Sequence, residues 1–477
     1  MTPSPTTTVS APGKVLLAGG YLVLESPNVG LVLAADKRFY CSITSHNNNN
    51  NNNNRQNCLL TVDSPQFHSI WKYDLIINDG VSLNPSPKNQ STNSFVEKSL
   101  RVVCAYLYIH NIDFPEELHI SIRADNDFYS VIPHVGSIRT PATVRALKKF
   151  MPCPTDHHGK PVIHKTGLGS SAALVAALVG ACYHHFTPSN VNNNDNDHTH
   201  DNIEIWKTRI DHLAQLSHCH AQGKIGSGFD VSTAIHGSQV YQRFPPTLLT
   251  PILAQLENEL KPTSNHITEA TCQSICHITD KPWSGGLVTK VELPKGMHLL
   301  LADVCGGSES PSMASQVLQW KSTQHDTQHN YWDQLATLNP TIIELLQRLI
   351  IEDQDLTPCK TTPAIDWRNT HPTLYQLHQA LSQSRVLLKA MGDAAGVPIE
   401  PHPQTMLADA TMELPGVVAA MVPGAGGYDA LACLYIDGVQ ENIGRLWNTW
   451  KVATICPLTV EAAGVNEGIR VEYDFHV

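Results

Sequence analysis

The sequence predicts a protein of mixed strands and helices in at least two domains, parted by the stretch 245–282. Three observations point there. Strand-like segments crowd the first 125 residues, while helical patterns dominate the remainder of the chain. At 477 residues, with 42% hydrophobic and 16% charged residues, the chain is long enough for two or three sizeable cores. The stretch 245–282 changes in character and bears prolines, as an inter-domain segment does.

In chain order, Val15-Leu-Leu-Ala18 reads as a buried strand, Gly19-Gly20 breaks it, and Tyr21-Leu-Val-Leu24 resumes it. Residues 29–45 are further strand and run into Asn47–Asn54. That low-complexity tract buries nothing and is expected to be a disordered insertion near 46–56. Cys58–Val62 and Trp71–Ile77 are strand-like. Ser94-Phe-Val-Glu97 fits a capping box, and Phe95, Val103, Tyr106 and Leu107 form the stripe of a helix to about Tyr108. His119–Arg123 is a strand. Residues 125–160 form a polar, irregular excursion with Arg139, Arg145, Lys148, Lys149 and Lys160. Most of these read as solvated charges, although such a loop can also act as a lid that brings cations to an anion. Pro161-Val-Ile163 is strand-like, and Ser171–Phe186, free of Asp, Glu, Lys and Arg, reads as a buried helix. A second Asn/Asp/His-rich tract, Asn190–Asp201, precedes a helix from about Ile203 to Gln222, with Ile203, Trp206, Ile210, Leu213 and Leu216 inward. Leu287–Leu293 and Met297–Asp303 read as paired strands across Pro294-Lys-Gly296. A helix to about Trp320 follows Gly306–Met313, and two more are expected at 340–353 and 373–392. Pro423–Tyr428 is a glycine-rich turn entering a strand-like run to Leu434.

Composition narrows the function. A formal net charge of −11 makes nucleic acid and anionic membrane poor partners. No apolar run approaches the roughly 20 residues that span a bilayer, and Met1–Thr8 lacks the basic and apolar regions of a signal peptide. The twelve cysteines show no C-x-x-C and no metal-type spacing with the 25 histidines, so reduced thiols in a cytoplasmic protein are expected.

Chemistry concentrates where glycine turns open helices. In Lys165-Thr-Gly-Leu-Gly-Ser-Ser-Ala172, Gly167 and Gly169 allow a tight bend and a close approach to a ligand. The turn enters a helix N-terminus, whose unpaired N–H groups and positive dipole end attract anions, phosphate above all. Ser170 and Ser171 add hydroxyls for a phosphate oxygen or Mg²⁺. Serine before an Ala-rich run is also a plain helix start, and the loop is neither a Walker A sequence nor G-x-G-x-x-G. Lys14, at the mouth of the first strand, is either a solvated charge or a cation held against phosphate. Gly223-Lys-Ile-Gly-Ser-Gly-Phe-Asp230 is a tight turn presenting a carboxylate, a weak signal alone because Asp commonly forms turns. Gly306–Ser310 precedes another candidate anion-binding N-terminus.

Three glycine-bearing turns in this order, Pro12-Gly-Lys14, Gly167-Leu-Gly-Ser-Ser171 and Gly424-Ala-Gly-Gly427, resemble the three motifs of the GHMP kinases, the family of galactokinase, homoserine kinase, mevalonate kinase and phosphomevalonate kinase. Ser10–Leu24, Lys165–Ser171, Ala221–Val231 and Pro423–Ala430 are similar to the eukaryotic, fungal-type phosphomevalonate kinase branch. So are Gly307, Ser308, Ser312 and Met313, and Ile399, Glu400, Pro401, Gln404 and Thr405. The resemblance implies an α+β fold of two domains, residues 1–245 like ribosomal protein S5 domain 2 and residues 246–477 ferredoxin-like, with ATP in the cleft between them. It implies ATP-dependent phosphorylation of (R)-5-phosphomevalonate to 5-diphosphomevalonate, in the mevalonate route to isoprenoids and sterols. It places the ATP phosphates on Lys165, Gly167, Leu168, Gly169, Ser170, Ser171 and Ala172, and Lys14 and Asp230 at the transferring phosphoryl group. Substrate contacts are expected from Gly19, Tyr21, Lys224, Ser227, Gly307, Ser308, Ser310, Gln404, Gly426, Gly427 and Asp429, with Arg243, Arg385 and Lys389 as further cations. Mevalonate kinases hold Mg²⁺ with a glutamate shortly before the aspartate, but Leu213–Phe229 contains no Asp or Glu. Mg²⁺ is therefore expected on Ser171 or Ser170, phosphate and water. The expected assembly is a monomer or weak homodimer.

The acceptor decides what Asp230 does. A hydroxyl acceptor needs a base. A phosphate monoester, with a second pKa near ~6, is largely deprotonated at neutral pH and needs none. A carboxylate beside that dianion repels it, so Asp230 is then expected mainly to hold Lys14, which offsets the cluster of charge. Two rival readings are a GHMP kinase acting on a hydroxyl, against which the missing glutamate counts, and a non-catalytic ligand sensor on the same fold. The presence of Lys14, Asp230 and the serine pair disfavours the sensor.

Overall fold

The computed structural model describes residues 6–46, 57–187, 199–261, 264–304, 310–323, 330–428, 430–464, 467–473 and 475. Asn47–Asn54, most of the second Asn-rich tract and the turn at Gly306–Glu309 lie outside them.

Strands β1 (Thr6–Ala18) and β2 (Val29–His46) form a long antiparallel pair. Between them Leu22–Leu24 is a 3₁₀ turn, not a resumed strand. Gly19 and Gly20 take φ of 113° and 39°, and the N–H groups of Leu22 and Val23 turn back onto the Gly19 carbonyl. The chain must reverse there to reach β2, so these apolar residues are buried in a turn. Next come β3 (Asn57–Ser64), β4 (Ser69–Ile77) and β5 (Gly80–Pro85). Helix α1 (Ser94–Ile109) is capped by Asn93, which accepts from Phe95 and Val96 N–H. The expected capping box does not form, because Glu97 pairs with Arg101 at 2.9 Å instead.

Strand β6 (Glu117–Ala124) leads to α2 (Pro141–Arg145), α3 (Ser170–Phe186), α4 (Thr199–Gln222), α5 (Phe229–His236) and β7 (Gln239–Gln242). Pro161–Ile163 is not a strand; only single bridges, Thr155 to Pro161 and Tyr129 to Lys165, form there. The stretch read as inter-domain carries α6 (Thr250–Glu259), β8 (His266–Thr268) and α7 (Glu269–Asp280), whose Ile252, Leu256, Ile267, Cys272 and Ile275 are buried. Strand β9 (Leu287–Lys290) is exposed throughout and pairs with β7, whereas β10 (Met297–Val304) is buried in another sheet. The expected hairpin between them is absent.

Helices α8 (Ser310–Thr323), α9 (Tyr331–Glu352), α10 (Trp367–Thr370), α11 (Pro372–Ala395) and α12 (His402–Met412) come next. α9 begins well before residue 340 because Asn330 caps it and Pro340 sits inside the helix. The chain closes with β11 (Val417–Met421), β12 (Ala430–Ile436), α13 (Gln440–Asn448), β13 (Ile455–Pro457) and β14 (Arg470–Val471).

Ten strands form one sheet in the order β14-β1-β2-β6-β3-β4-β5-β8, with β7 on β2 and β9 on β7. Four form a second, β11-β12-β10-β13. β3, β4 and β6 alternate buried and exposed residues, as strands with one wet face do. β1 and the first part of β2, to Ala35, are buried almost continuously, because α3 and α5 pack on them and α9 reaches β2. One apolar core therefore runs from the first sheet to Ile342, Leu346 and Leu374 of α9 and α11. The register slips between Pro12 and Lys14, where two steps along β1 match four along β2. Such an irregularity re-aims side chains, and it lies immediately before Lys14, which pairs with Ala34.

Asp303, at the end of β10, accepts from the Ser130 hydroxyl at 2.8 Å and is buried, which raises its pKa to about 6. A carboxyl raised above its unfolded value near 3.9 favours the protonated fold. Its contribution to stability therefore falls as pH rises from about 4 through about 6. Asp303→Asn is expected to flatten this slope by on the order of 1–3 kcal/mol. Chemical denaturation of both proteins at pH 4.5 and 7.5 measures it; equal slopes would mean that the carboxyl is not desolvated.

Candidate active site

The three glycine turns meet on Lys14. Its Nζ donates to the Gly167 carbonyl at 2.8 Å, and its own N–H donates to the Leu168 carbonyl at 2.9 Å. The ammonium lies 5.7 Å from the centre of the Phe229 ring, a cation–π distance. A Cβ on Gly424 would stand 3.9 Å from Nζ, and one on Gly169 3.0 Å from Lys14 Cε. Desolvation pushes the Lys14 pKa below the ordinary lysine value, and the negative charge of Asp230 works against that. Part of the side chain stays open to the cleft.

The middle turn enters α3 through Gly169, an N-cap with φ of 75°; Gly167 has φ of 78°. Leu168, Ser170 and Ala172 are buried, and the Ser170 hydroxyl bonds Tyr129. Ser171 is half-buried, and its Oγ lies 3.1 Å from Nε2 of His218. The amide of Gln222 donates to the same nitrogen at 3.3 Å. Nε2 is thus an acceptor, and the Ser171 proton points to it, leaving the oxygen lone pairs for the cleft. His218 is 4% exposed, packs on Phe95, and is held below the usual histidine pKa by burial, opposed by Asp230. Lys165 is exposed at the mouth of the turn.

Asp230 does not end a turn; it sits in the first turn of α5, where its Oδ1 accepts from Val231 N–H at 3.0 Å. Its Oδ2 lies 3.9 Å from Nε2 of His218, and among the described residues it forms no ion pair with Lys14. Lys14 and Asp230 therefore act on each other through charge alone, not as the held pair expected. The turn before α5 is clamped from three sides: Gln215 donates to Gly228 O at 2.8 Å, Tyr241 to Ser227 O at 2.8 Å, and Arg243 to Ile225 O at 2.9 Å. Lys224 is exposed on that turn.

The third turn is fixed from below. Gly426 has φ of 90°, and a Cβ there would meet the Ile399 carbonyl at 2.2 Å. Gly427 N–H donates to that carbonyl at 3.0 Å, and buried Gln404 donates to Tyr428 O at 2.8 Å. The Tyr21 hydroxyl donates to Ala425 O, tying this turn to the Gly19 bend. Gly307, Ser308 and Asp429 lie outside the described residues, as does the side chain of Ser310.

Several candidate cations have structural partners. Arg385 grips Glu400 through two bonds of 2.8 Å and Asp409 at 2.7 Å; Lys389 pairs with Asp393 at 3.1 Å. Arg243 also donates to Leu24 O at 2.6 Å. In the excursion, Arg139 bonds the Ile455 carbonyl at 3.1 Å and Arg145 lies 3.6 Å from Glu461, so this segment is docked on the second sheet. Lys148, Lys149 and Lys160 are exposed. Sequence patterns did not single out His218, Gln215, Tyr241, Phe229 or Tyr129. A signal existed only for His218: it falls in the stretch before Asp230 where a metal-holding carboxylate would stand.

Residues 142–238 match the family model described as the GHMP kinases N terminal domain. The chain is 34% identical to a phosphomevalonate kinase of Candida albicans, covering 91% of this chain and 90% of that one. It is 32% identical to an Arabidopsis thaliana protein named phosphomevalonate kinase, peroxisomal, covering 94% and 93%. Among solved structures, Streptococcus pneumoniae phosphomevalonate kinase in complex with phosphomevalonate and AMPPNP superposes with a TM-score of 0.56 at 15% identity, over 92% of this chain and 94% of that one. That likeness shows the same fold.

Two substitutions probe this geometry. Gly169→Val puts a Cβ against Lys14 at a positive φ, a strain of roughly 1–3 kcal/mol; turnover should fall at least about 100-fold while circular dichroism stays native. His218→Ala removes the partner of Ser171, worth about 1 kcal/mol, and kcat should drop roughly 10-fold, with part recovered in His218→Asn. Wild-type kcat in Gly169→Val would remove the turn from the phosphate path.

Proposed function

The chain belongs to the GHMP kinases and, within them, to the phosphomevalonate kinases; from that premise we propose that its cleft transfers the γ-phosphoryl group of ATP to the phosphate of (R)-5-phosphomevalonate, giving 5-diphosphomevalonate and ADP. The observation that supports this placement of the chemistry is the convergence of all three glycine turns on the Lys14 ammonium.

An oxygen of the acceptor phosphate attacks the γ-phosphorus. The bond from that phosphorus to the bridging oxygen breaks, and its electron pair leaves on ADP. The work left to the protein is alignment and cancellation of charge. The N–H groups at the head of α3 receive the β- and γ-phosphates. Lys14, now held by a loop carbonyl, offsets charge between donor and acceptor. We assign the adenine to the cavity of about 140 Å³ lined by Tyr129, Val131, Cys153, Val162 and His164. The residues suit Mg²⁺, which takes oxygen ligands and keeps water: Ser171 Oγ offers its lone pairs, and the Asp230 carboxylate lies nearby, 3.9 Å from the imidazole that holds Ser171. Bound there, Mg²⁺ supplies further neutralisation of the phosphates. Among the described residues no helix is long and apolar enough to cross a membrane. The eleven described cysteines are all free and ten of them are buried, and the cytoplasmic placement we propose rests on these thiols.

Because the acceptor is already an anion, Asp230 is not required as a base. Lys14→Met should be the more damaging change, since it leaves two phosphates and Asp230 unscreened in a partly dry cleft. Asp230→Asn keeps an acceptor for Val231 N–H and should lower kcat by roughly 10- to 100-fold. Both variants are to be measured with phosphomevalonate at pH 6 and pH 8. A larger loss for Asp230→Asn at pH 8 would make Asp230 a base and this account wrong.

A further inference from the structure

Away from the cleft, three unlike ligand side chains converge where α1 and α7 end. His110 is the C-cap of α1, and Cys276 and Asp280 are one turn apart on α7. Cys276 Sγ lies 3.5 Å from His110 Nε2 and 3.3 Å from Asp280 Oδ2, and those two atoms lie 3.6 Å apart. The arrangement is not a nucleophile–histidine–acid relay. A relay puts thiol and carboxylate on opposite ring nitrogens, whereas here both face Nε2.

We propose that His110, Cys276 and Asp280 form a binding site for one thiophilic divalent cation of the zinc class. A zinc-like ion bonds sulfur at about 2.3 Å and nitrogen or oxygen at about 2.0–2.2 Å, and tetrahedral angles then set the ligand atoms about 3.3–3.6 Å apart. The three observed separations are edges of such a tetrahedron. The second shell is in place too. Asp280 Oδ1 is held by Arg209 at 3.0 Å and by the Tyr106 hydroxyl at 2.9 Å, which turns Oδ2 toward the other two ligands. The His110 ring packs 4.5 Å from that of Tyr106. His110 and Asp280 are 38% and 30% exposed, so an ion can enter and solvent can supply the fourth ligand. One sulfur and one imidazole select zinc, cadmium or cobalt over Mg²⁺. The site is distinct from the phosphoryl cleft: by helix rise, His110 is roughly 22 Å along α1 from Phe95, which packs on His218.

The test uses the full-length protein freed of metal, titrated with Cd²⁺ and followed by thiolate-to-cadmium absorption and calorimetry. One equivalent should bind, with millimolar Mg²⁺ failing to displace it. Cys276→Ser and His110→Ala should each weaken binding at least about 10-fold, while Cys305→Ser, at a cysteine outside the described residues, should not. With Mg²⁺ supplied and Cd²⁺ absent, Cys276→Ser should turn over phosphomevalonate as the wild type does. In the unmodified protein, Cd²⁺ should protect Cys276 from alkylation, read by mass spectrometry, so the idea does not depend on a variant folding. Full Cd²⁺ affinity in Cys276→Ser, absence of binding, or unprotected Cys276 would each overturn it.

Discussion

The constraint on which the rest of the site depends is an ammonium group held out of bulk water. Enclosing Lys14 requires an acceptor, an opposing charge and a polarisable surface close by. The Gly167 carbonyl, Asp230 and the face of Phe229 meet those needs. Gly167 leads into α3, and Phe229 and Asp230 open α5, so one solvation requirement holds β1, the head of α3 and the head of α5 in register. It also explains the glycines: Gly169 must pass so near the lysine stem that a side chain has no room.

His218 extends the same logic. A buried imidazole is neutral more readily than charged, and here it holds Ser171 and stands beside Asp230 without adding a carboxylate. In a chain of net charge −11 about to receive two phosphorylated ligands, a neutral connector limits local repulsion. Where mevalonate kinases are expected to use a glutamate, a neutral group is the electrostatically milder solution for an anionic acceptor.

Cations near the cleft illustrate how poorly composition reports role. Arg385, Arg243 and Arg139 carry the same formal charge as Lys14, yet one is bound by Glu400 and Asp409 and the others by backbone carbonyls. Lys14 differs in that its nearest opposing charge, Asp230, does not touch it. Buried polar groups find partners wherever the fold supplies them, and those partners lie from 15 to more than 200 positions away.

Local rules and motif order determined much of this protein from the sequence alone. The buried α3, the strands with alternating burial, the three glycine turns and the family they signal are short-range patterns, each set by backbone sterics or by periodic apolar residues. Tertiary structure alone decided the rest. Tyr21–Leu24 is apolar enough for a strand but turns because the chain must reverse. β9 and β10 look like a hairpin but join different sheets, because their partners β7 and β12 are distant in sequence. His218 acquires a role only when α4 lies against both α3 and α5. Side-chain partnership across elements is a property of packing, and no window of sequence contains both partners.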